Sequence, residues 1–206
     1  MMHADSTGFD DFDSIANYEY VVGPEFPPDG SWGCDLYAFD RDGKTVSEFV
    51  ARWGAPTIVR VAPVNGPEWV GMYAAGGLGP YSGVFATPSP NVVCVVAGGL
   101  AYLTNVERPG DGTVIANDGV VQAMAAREHD LLLLATFVDF VAVGAEGARW
   151  RSHRLIVDDL RMTRVVENGI ECTGDLLDRE PSTFVVDLRT GAVVSGPRLD
   201  WPSGAM

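Results

Sequence analysis

The residue types best suited to chemistry gather between positions 149 and 154. If the run Arg149-Trp150-Arg151-Ser152-His153-Arg154 is extended, Arg149, Arg151 and His153 share one face and Trp150, Ser152 and Arg154 the other. Residues 149–164 hold five Arg against two Asp, a local +3 in a chain of formal charge −14. Guanidinium groups bind carboxylate and phosphate through two parallel hydrogen bonds, so the strip could receive an anion or an acidic partner. The competing reading pairs these arginines with the chain's own acids, including those of the N-terminal segment. The candidate binding residues are therefore Arg149, Trp150, Arg151, His153 and Arg154. No catalytic residue, metal ligand or cofactor is assigned.

Other constellations give less. His3 lies in the acidic N-terminus and His129 in the hydrophilic turn Arg127-Glu128-His129-Asp130. Asp40-Arg41-Asp42-Gly43 reaches its glycine too early for a calcium loop and reads as a turn. Gly76-Gly77-Leu78-Gly79-Pro80-Tyr81-Ser82-Gly83 lacks the Lys-Ser/Thr ending of a phosphate loop and carries Pro80 where amides would be needed. Gly79-x-x-Ser82-Gly83 is one residue out of register with a nucleophile elbow. Cys34, Cys94 and Cys172 are widely spaced and odd in number, which predicts buried free thiols rather than a disulfide framework or zinc site. Asp139, inside the apolar run Leu131 to Val143, is costly to bury unless paired, and a turn between two strands accounts for it.

Fourteen basic and 28 acidic side chains in 206 residues argue against nucleic-acid binding, which needs a basic surface, and against a polybasic membrane anchor. The acidity is local. Asp5, Asp10, Asp11, Asp13, Glu19, Glu25, Asp29, Asp35 and Asp40 put nine acids and no Lys or Arg in residues 1–40. Met1 to Asp13 has no apolar core of a signal peptide, and Leu131 to Val138 is far too short to span a bilayer. The expectation is a soluble, cytoplasmic chain.

The elements that must position these residues read as strands. Period-two or β-branched runs occur at Thr57 to Val61, Val92 to Ala97, Leu131 to Val143, Leu155 to Val157, Arg164 to Val166 and Phe184 to Leu188. The 24 Gly and 13 Pro fall between them as turn signals, the pattern of an all-β domain. Glu167-Asn168-Gly169 predicts a hairpin with Asn-Gly at its corner; Val120 to Glu128, after Asp118 as an N-cap, is a helix candidate, but its Val120-Val121 start and lack of an apolar stripe favour a hairpin turning at Arg127 to Asp130. Thr45-Val46-Ser47-Glu48 has the pattern of a capping box, so one short helix is expected at 46 to 53.

Three segments repeat a strand, a turn ending in Gly and a second strand: Tyr37 to Val46, Val141 to Trp150 and Val185 to Val194. Val92 to Leu103 resembles Leu131 to Ala142 at an offset of 39 residues, near the spacing of propeller blades. The turns Tyr37-Ala-Phe-Asp-Arg-Asp-Gly43, Val141 to Trp150 and Val186-Asp-Leu-Arg-Thr-Gly191 resemble the blade turns of pyrroloquinoline-quinone-type β-propellers. The stretch from about Ser82 to Gly196, with Trp150-Arg-Ser-His-Arg-Leu155, also resembles an all-β family of uncharacterised bacterial proteins. The resemblance implies blade-like sheets; the quinone cofactor is not carried over, because such a propeller needs more blades than the chain has room for.

The expectation is thus a single all-β domain of antiparallel sheets, blade-like or a β-sandwich, over 15–199. Flexible ends are expected at 1–14 and 200–206. Its expected role is that of a non-catalytic bacterial protein-binding module, of the acidic inhibitor or immunity type, with a basic protein partner. The alternative is a small-molecule or anion-binding protein or enzyme with a pocket near Arg151 and His153. Assembly with copies of itself as a homo-oligomer is a third reading.

Overall fold

A computed structural model describes residues 12–52, 54–116, 119–167, 169–176 and 180–197. The strands form four sheets in chain order. Sheet I holds β1 (Tyr18–Val22), β2 (Asp35–Phe39), β3 (Thr45–Val46), β4 (Thr57–Pro63) and β5 (Trp69–Tyr73), in spatial order β1-β4-β5-β2-β3. Sheet II is β6 (Gly83–Ala86), β7 (Val92–Ala97), β8 (Leu100–Asn105) and β9 (Thr113–Ala116). Sheet III is β10 (Gln122–Ala126), β11 (Leu131–Ala135), β12 (Phe140–Gly144) and β13 (Gly147–Arg151), and sheet IV is β14 (Asp158–Val166), β15 (Gly169–Asp175), β16 (Ser182–Val186) and β17 (Val193–Ser195). Sheets II, III and IV are antiparallel meanders. Sheet I differs, because the chain leaves β1, builds the β2–β3 hairpin, and only then returns to pair β4 with β1; β2 runs parallel to β5.

The all-β expectation is met, and its sheets stack face to face through three apolar layers. Between sheets I and II lie Tyr18, Phe39, Val59, Val61, Trp69 and Tyr73, facing Val93, Val95, Leu100 and Tyr102. The opposite face of sheet II, with Cys94, Val96 and Ala101, meets Leu132, Leu134, Val141 and Val143 of sheet III. The other face of sheet III, with Leu131, Leu133, Phe140 and Ala142, meets Leu160, Met162, Ile170, Cys172, Phe184 and Val186 of sheet IV. The inner strands β7, β8, β11 and β12 are thus buried on both faces, which is why Val92 to Ala97 and Leu131 to Ala135 read as unbroken apolar runs. Each Val- or Leu-sized side chain moved into such a layer contributes about 1.5–3 kcal/mol.

Side chains near the first strand of one sheet hydrogen-bond to the first strand of the next. Tyr20 Oη donates to the Val84 carbonyl at 3.4 Å, Tyr81 Oη accepts from the Ala123 amide at 3.0 Å, and the Gln122 amide both donates to Met162 O at 3.0 Å and accepts from Met162 N at 2.8 Å. These bonds join the sheets along one side of the stack.

The repeats seen in the sequence are the outer hairpins of sheets I, III and IV. Tyr37 to Val46 is β2–β3, Val141 to Trp150 lies in β12–β13, and Val185 to Val194 in β16–β17. The Asp40 and Asp187 carboxylates hold two of these turns. Asp40 Oδ1 accepts from the Asp42 and Lys44 amides at 2.9 Å, and Asp187 Oδ1 accepts from the Arg189 and Thr190 amides at 2.9 Å. Gly43 (φ +79°) and Gly191 (φ +72°) close them in the left-handed region that glycine tolerates best.

Several expectations need correction. No helix forms over 46–53: Val46 ends β3 in its pairing with Ala38, and residues 47–52 run irregularly beyond it, with Trp53 outside the described residues. Pairing with β2 overrides the local capping signal. Leu155 to Val157 is not a strand; Leu155 and Ile156 are buried by packing from a connecting segment. Val166 pairs with Gly169, so the hairpin's connection is positions 167 and 168, the latter outside the described residues. Gly169 itself belongs to β15, where a Cβ would strike the Val186 carbonyl. At the N-terminus, Phe12 is 1% exposed within the layer between sheets II and III, and Ser14 Oγ accepts from Arg127 at 2.7 Å, so packing already involves residues within the expected flexible end 1–14. Residues 1–11 and 200–206 lie outside the described residues. The hairpin turning at Arg127 to Asp130 forms as expected, through a 3-10 turn closed by Asp130 at φ 51°.

Candidate functional site

The 149–154 strip divides on the structure. β13 continues only to Arg151, and a bulge opposite Ala142 and Val143 leaves Arg149 out of register on an exposed edge. Trp150 turns inward: its ring packs on the layer between sheets III and IV, and its Nε1 donates to the Leu188 carbonyl at 2.9 Å. Arg151 Nε donates to Asp139 Oδ2 at 2.9 Å. His153 is exposed in the connection to β14, and Arg154 is tied to the carbonyls of Ile156 at 3.0 Å and Val157 at 2.9 Å. The structure brings Arg151 to an acid and leaves Arg149 and His153 apart from it.

Asp139 is 7% exposed and sits in the turn between β11 and β12. Its second oxygen accepts from Thr136 Oγ1 at 2.7 Å, and that hydroxyl in turn accepts from the Asp139 and Val138 amides at 3.1 and 3.2 Å. Both earlier readings of Asp139 hold together: it occupies a turn, and its charge is paired. Ser152 closes the neighbouring corner, accepting from the Phe140 amide and donating to the His153 carbonyl, each at 2.9 Å. This is a structural polar network. Farther along the strip, Arg161 pairs with Asp159 and Arg164 with Glu171. Among the described residues these partners, Asp139, Asp159, Glu171 and the carbonyls of Ile156 and Val157, come from the same part of the chain.

Two of the three thiols are held in an unreactive state. Burial pushes the Cys94 and Cys172 thiols up to about 12, where the nucleophilic thiolate is scarce at neutral pH. Cys34 is partly exposed and its thiol is also raised, mainly by desolvation. Among the described residues no group of three His, Cys, Asp or Glu side chains could hold a metal ion, and no helix is long and apolar enough to cross a membrane. Every buried side-chain polar atom among them has a hydrogen-bond partner.

Two features stand outside the strip. A cavity of about 450 Å³ opens beside the β2–β3 turn, lined by Asp40, Arg41, Asp42, Phe49, Arg52 and Ala74 among others. The second feature is the outward face of sheet I. The register sets Val21, Arg60, Val70 and Leu36 in one row across β1, β4, β5 and β2, and Ile58, Met72, Ala38 and Val46 in the next. Val21 is 57% and Leu36 47% exposed, while Val70 is fully buried beside the Arg60–Glu68 pair. Arg60 binds Glu68 through two bonds of 2.6 and 2.7 Å, which hold the Glu68 carboxyl below its ordinary range. Sequence reasoning missed this face because β1 was not recognised as a strand. The signal was present in Tyr18-Glu19-Tyr20-Val21-Val22, whose two tyrosines alternate toward the core.

Most of the acid-only stretch maps to the same end; Asp13 lies apart, between Phe12 in the layer of sheets II and III and Ser14 bonded to Arg127. Among described residues, Glu19 lies on β1, Glu25 and Asp29 on the connection that follows, Asp35 at the start of β2, and Asp40 in its turn. No protein-family model matches the chain, and no curated protein matches it.

Proposed function

We propose that the chain is a non-catalytic protein-binding module with a basic partner. The observation that carries this reading is the segregation of charge: residues 12–40 hold no Lys or Arg, and five of their six acids, Glu19, Glu25, Asp29, Asp35 and Asp40, are borne by the sheet I end of the stack. A concentrated field of one sign raises association rates with an oppositely charged partner and repels wrong ones. The Arg strip supports the reading from the other side. Arg151, Arg154, Arg161 and Arg164 are engaged within the chain, so an anion site there would have to displace their present partners. The test is association with a panel of basic proteins, with acidic proteins of similar size as controls, followed by calorimetry across salt concentrations. Binding confined to basic proteins and weakening steeply with salt is expected. Binding that ignores the sign of the probe, or is absent at low salt, rejects the reading.

The cavity beside the β2–β3 turn favours a second reading, that of a small-ligand protein. Its lining mixes Arg41 and Arg52 with Asp40, Asp42 and Glu48 around Phe49 and Val50. A thermal-shift screen of small zwitterions and carboxylates, repeated on Phe49→Ser, separates it from the first.

A further inference from the structure

We propose that Asn65 is a site of self-modification, where the side-chain amide is lost as ammonia and an aspartyl or isoaspartyl residue takes its place. Asparagine is among the thermolabile side chains. Its Cγ is open to attack by the backbone nitrogen of the next residue when that residue is small enough to let the two atoms meet. Glycine, with no Cβ, obstructs the approach least. Asn-Gly occurs twice in the chain, at 65–66 and 168–169. The fold treats the two glycines differently. Asn65 and Gly66 are exposed in the turn between β4 and β5, and a Cβ built on Gly66 would meet nothing nearer than Pro63 at 3.6 Å. Among the described residues the Gly66 amide has no backbone acceptor, whereas Gly30 and Gly43, which follow aspartates, donate to the carbonyls of Pro27 and Asp40 at 2.9 and 3.1 Å. Gly169 is buried in β15 opposite Val166, and a Cβ there would strike the Val186 carbonyl. A nitrogen fixed in a sheet cannot swing onto the side chain before it, so the sheet protects the second Asn-Gly while the turn exposes the first.

The atoms balance with water as the only co-reactant. The Gly66 nitrogen bonds to Asn65 Cγ, its proton departs with Nδ2 as ammonia, and a succinimide ring remains. Water then opens the ring at either carbonyl. One opening leaves an ordinary aspartate, and the other an isoaspartate, whose backbone runs through Cβ and is longer by a carbon. Either product adds a carboxylate to a chain of formal charge −14, in the connection that also carries Glu68. Val64 N donates to the Asn17 carbonyl at 2.8 Å, which ties that connection to the chain entering β1. The longer isoaspartyl backbone would fall beside this tie.

The test is incubation of the full chain at mildly alkaline pH, where more of the amide nitrogen is deprotonated. Peptides covering residues 61–69 and 161–172 are followed by mass spectrometry. The native chain is expected to show the amide-to-acid mass change at Asn65, with isoaspartate in that peptide detected by enzymatic methylation, while Asn168 keeps its amide. In urea both positions should convert alike. Gly66→Ala, whose Cβ the turn accommodates, should slow conversion at Asn65 at least about tenfold. An unchanged unfolding midpoint in that variant excludes a change of fold as the cause. The proposal is overturned if Asn65 keeps its amide in the native chain over the time in which the unfolded chain converts. It is equally overturned if native Asn168 converts as fast as Asn65, or if Gly66→Ala leaves the rate at Asn65 unchanged.

Discussion

Sheets I and IV close the two ends of one stack, yet their outward faces are built from different residues. On sheet IV the row across β14, β15 and β16 is Arg161, Thr173 and Thr183, and the next joins Arg164, Glu171 and Val185. Threonine suits the pleated backbone while its hydroxyl stays hydrated, and the Arg164–Glu171 pair spans β14 and β15. That face is finished for water. On sheet I the corresponding rows carry Val21, Arg60, Val70 and Leu36, then Ile58, Met72, Ala38 and Val46, with Val70 and Ala38 buried. The inner layers differ as well: sheets I and II meet through Tyr18, Tyr73 and Tyr102, whereas sheets III and IV meet through Leu, Ile, Met and Phe. One end is sealed by aliphatic packing and capped by polar side chains, and the other is rich in tyrosine inside and apolar outside.

The largest effect that could break this contrast is at the seam of sheet IV. Gln122→Leu removes the amide that serves both Met162 N and Met162 O. Leaving such groups without partners is expected to cost about 2–3 kcal/mol, read as a lower urea midpoint. Hydrogen exchange at Ile170 and Cys172 should rise well before exchange at Val93 and Val95. Equal rises in both places would mean that the two ends open together.

Alkali should act on the opposite end. Burial raises the Tyr18, Tyr73 and Tyr102 hydroxyls above their ordinary value of 10.0. A group whose protonated form is favoured in the folded state contributes stability below its unfolded pKa and loses it as pH rises through the folded one. Loss of near-ultraviolet circular dichroism above about pH 10 should therefore accompany loosening between sheets I and II, with the amides of β15 still protected. Early exchange in β15 instead would place the weak end elsewhere.

Thiol labelling gives a smaller and more local readout. Cys34 lies on sheet I's side of the stack and is partly exposed, while Cys94 and Cys172 are buried in the layers. One thiol should react in the native state, and the other two only with unfolding. Labelling of Cys172 without unfolding would show that sheet IV detaches. The smallest expected effect is that of surface exchange: Thr173→Ser and Leu36→Ser should each change stability by no more than about 0.5 kcal/mol. A large loss for Leu36→Ser would mean that this side chain is structurally buried and that the outward face of sheet I is less open than its exposure indicates.

Much of this architecture was legible in the sequence, and the reasons differ by region. Sheets II, III and IV are local meanders, so each strand pairs with its neighbour in the chain. Val92 to Ala97 and Leu131 to Val143 stood out as apolar runs, and the turns around Gly43, Gly147 and Gly191 as repeats. Sheet I resisted. Its β1 finds β4 only after the β2–β3 hairpin, and β2 pairs with β5 in parallel, contacts that no periodicity announces. The segment after Thr45 misled because a capping pattern is local and the pairing of Val46 with Ala38 is not. For the candidate site, alternation along 149–154 could not foresee the bulge at Arg149 or the contact of Arg151 with Asp139. Both depend on register with β12 and on the turn before it.

The detour of the chain through β2 and β3 also has a bearing on how the molecule comes into being. A hairpin such as β11–β12 closes over a few residues, but joining β1 to β4 means closing a loop that runs from 23 to 56, and longer loops are slower and entropically costlier to shut. Sheets II to IV can assemble from neighbouring segments while β1 is still searching for its partner. The acidic end of the molecule is then the last to mature.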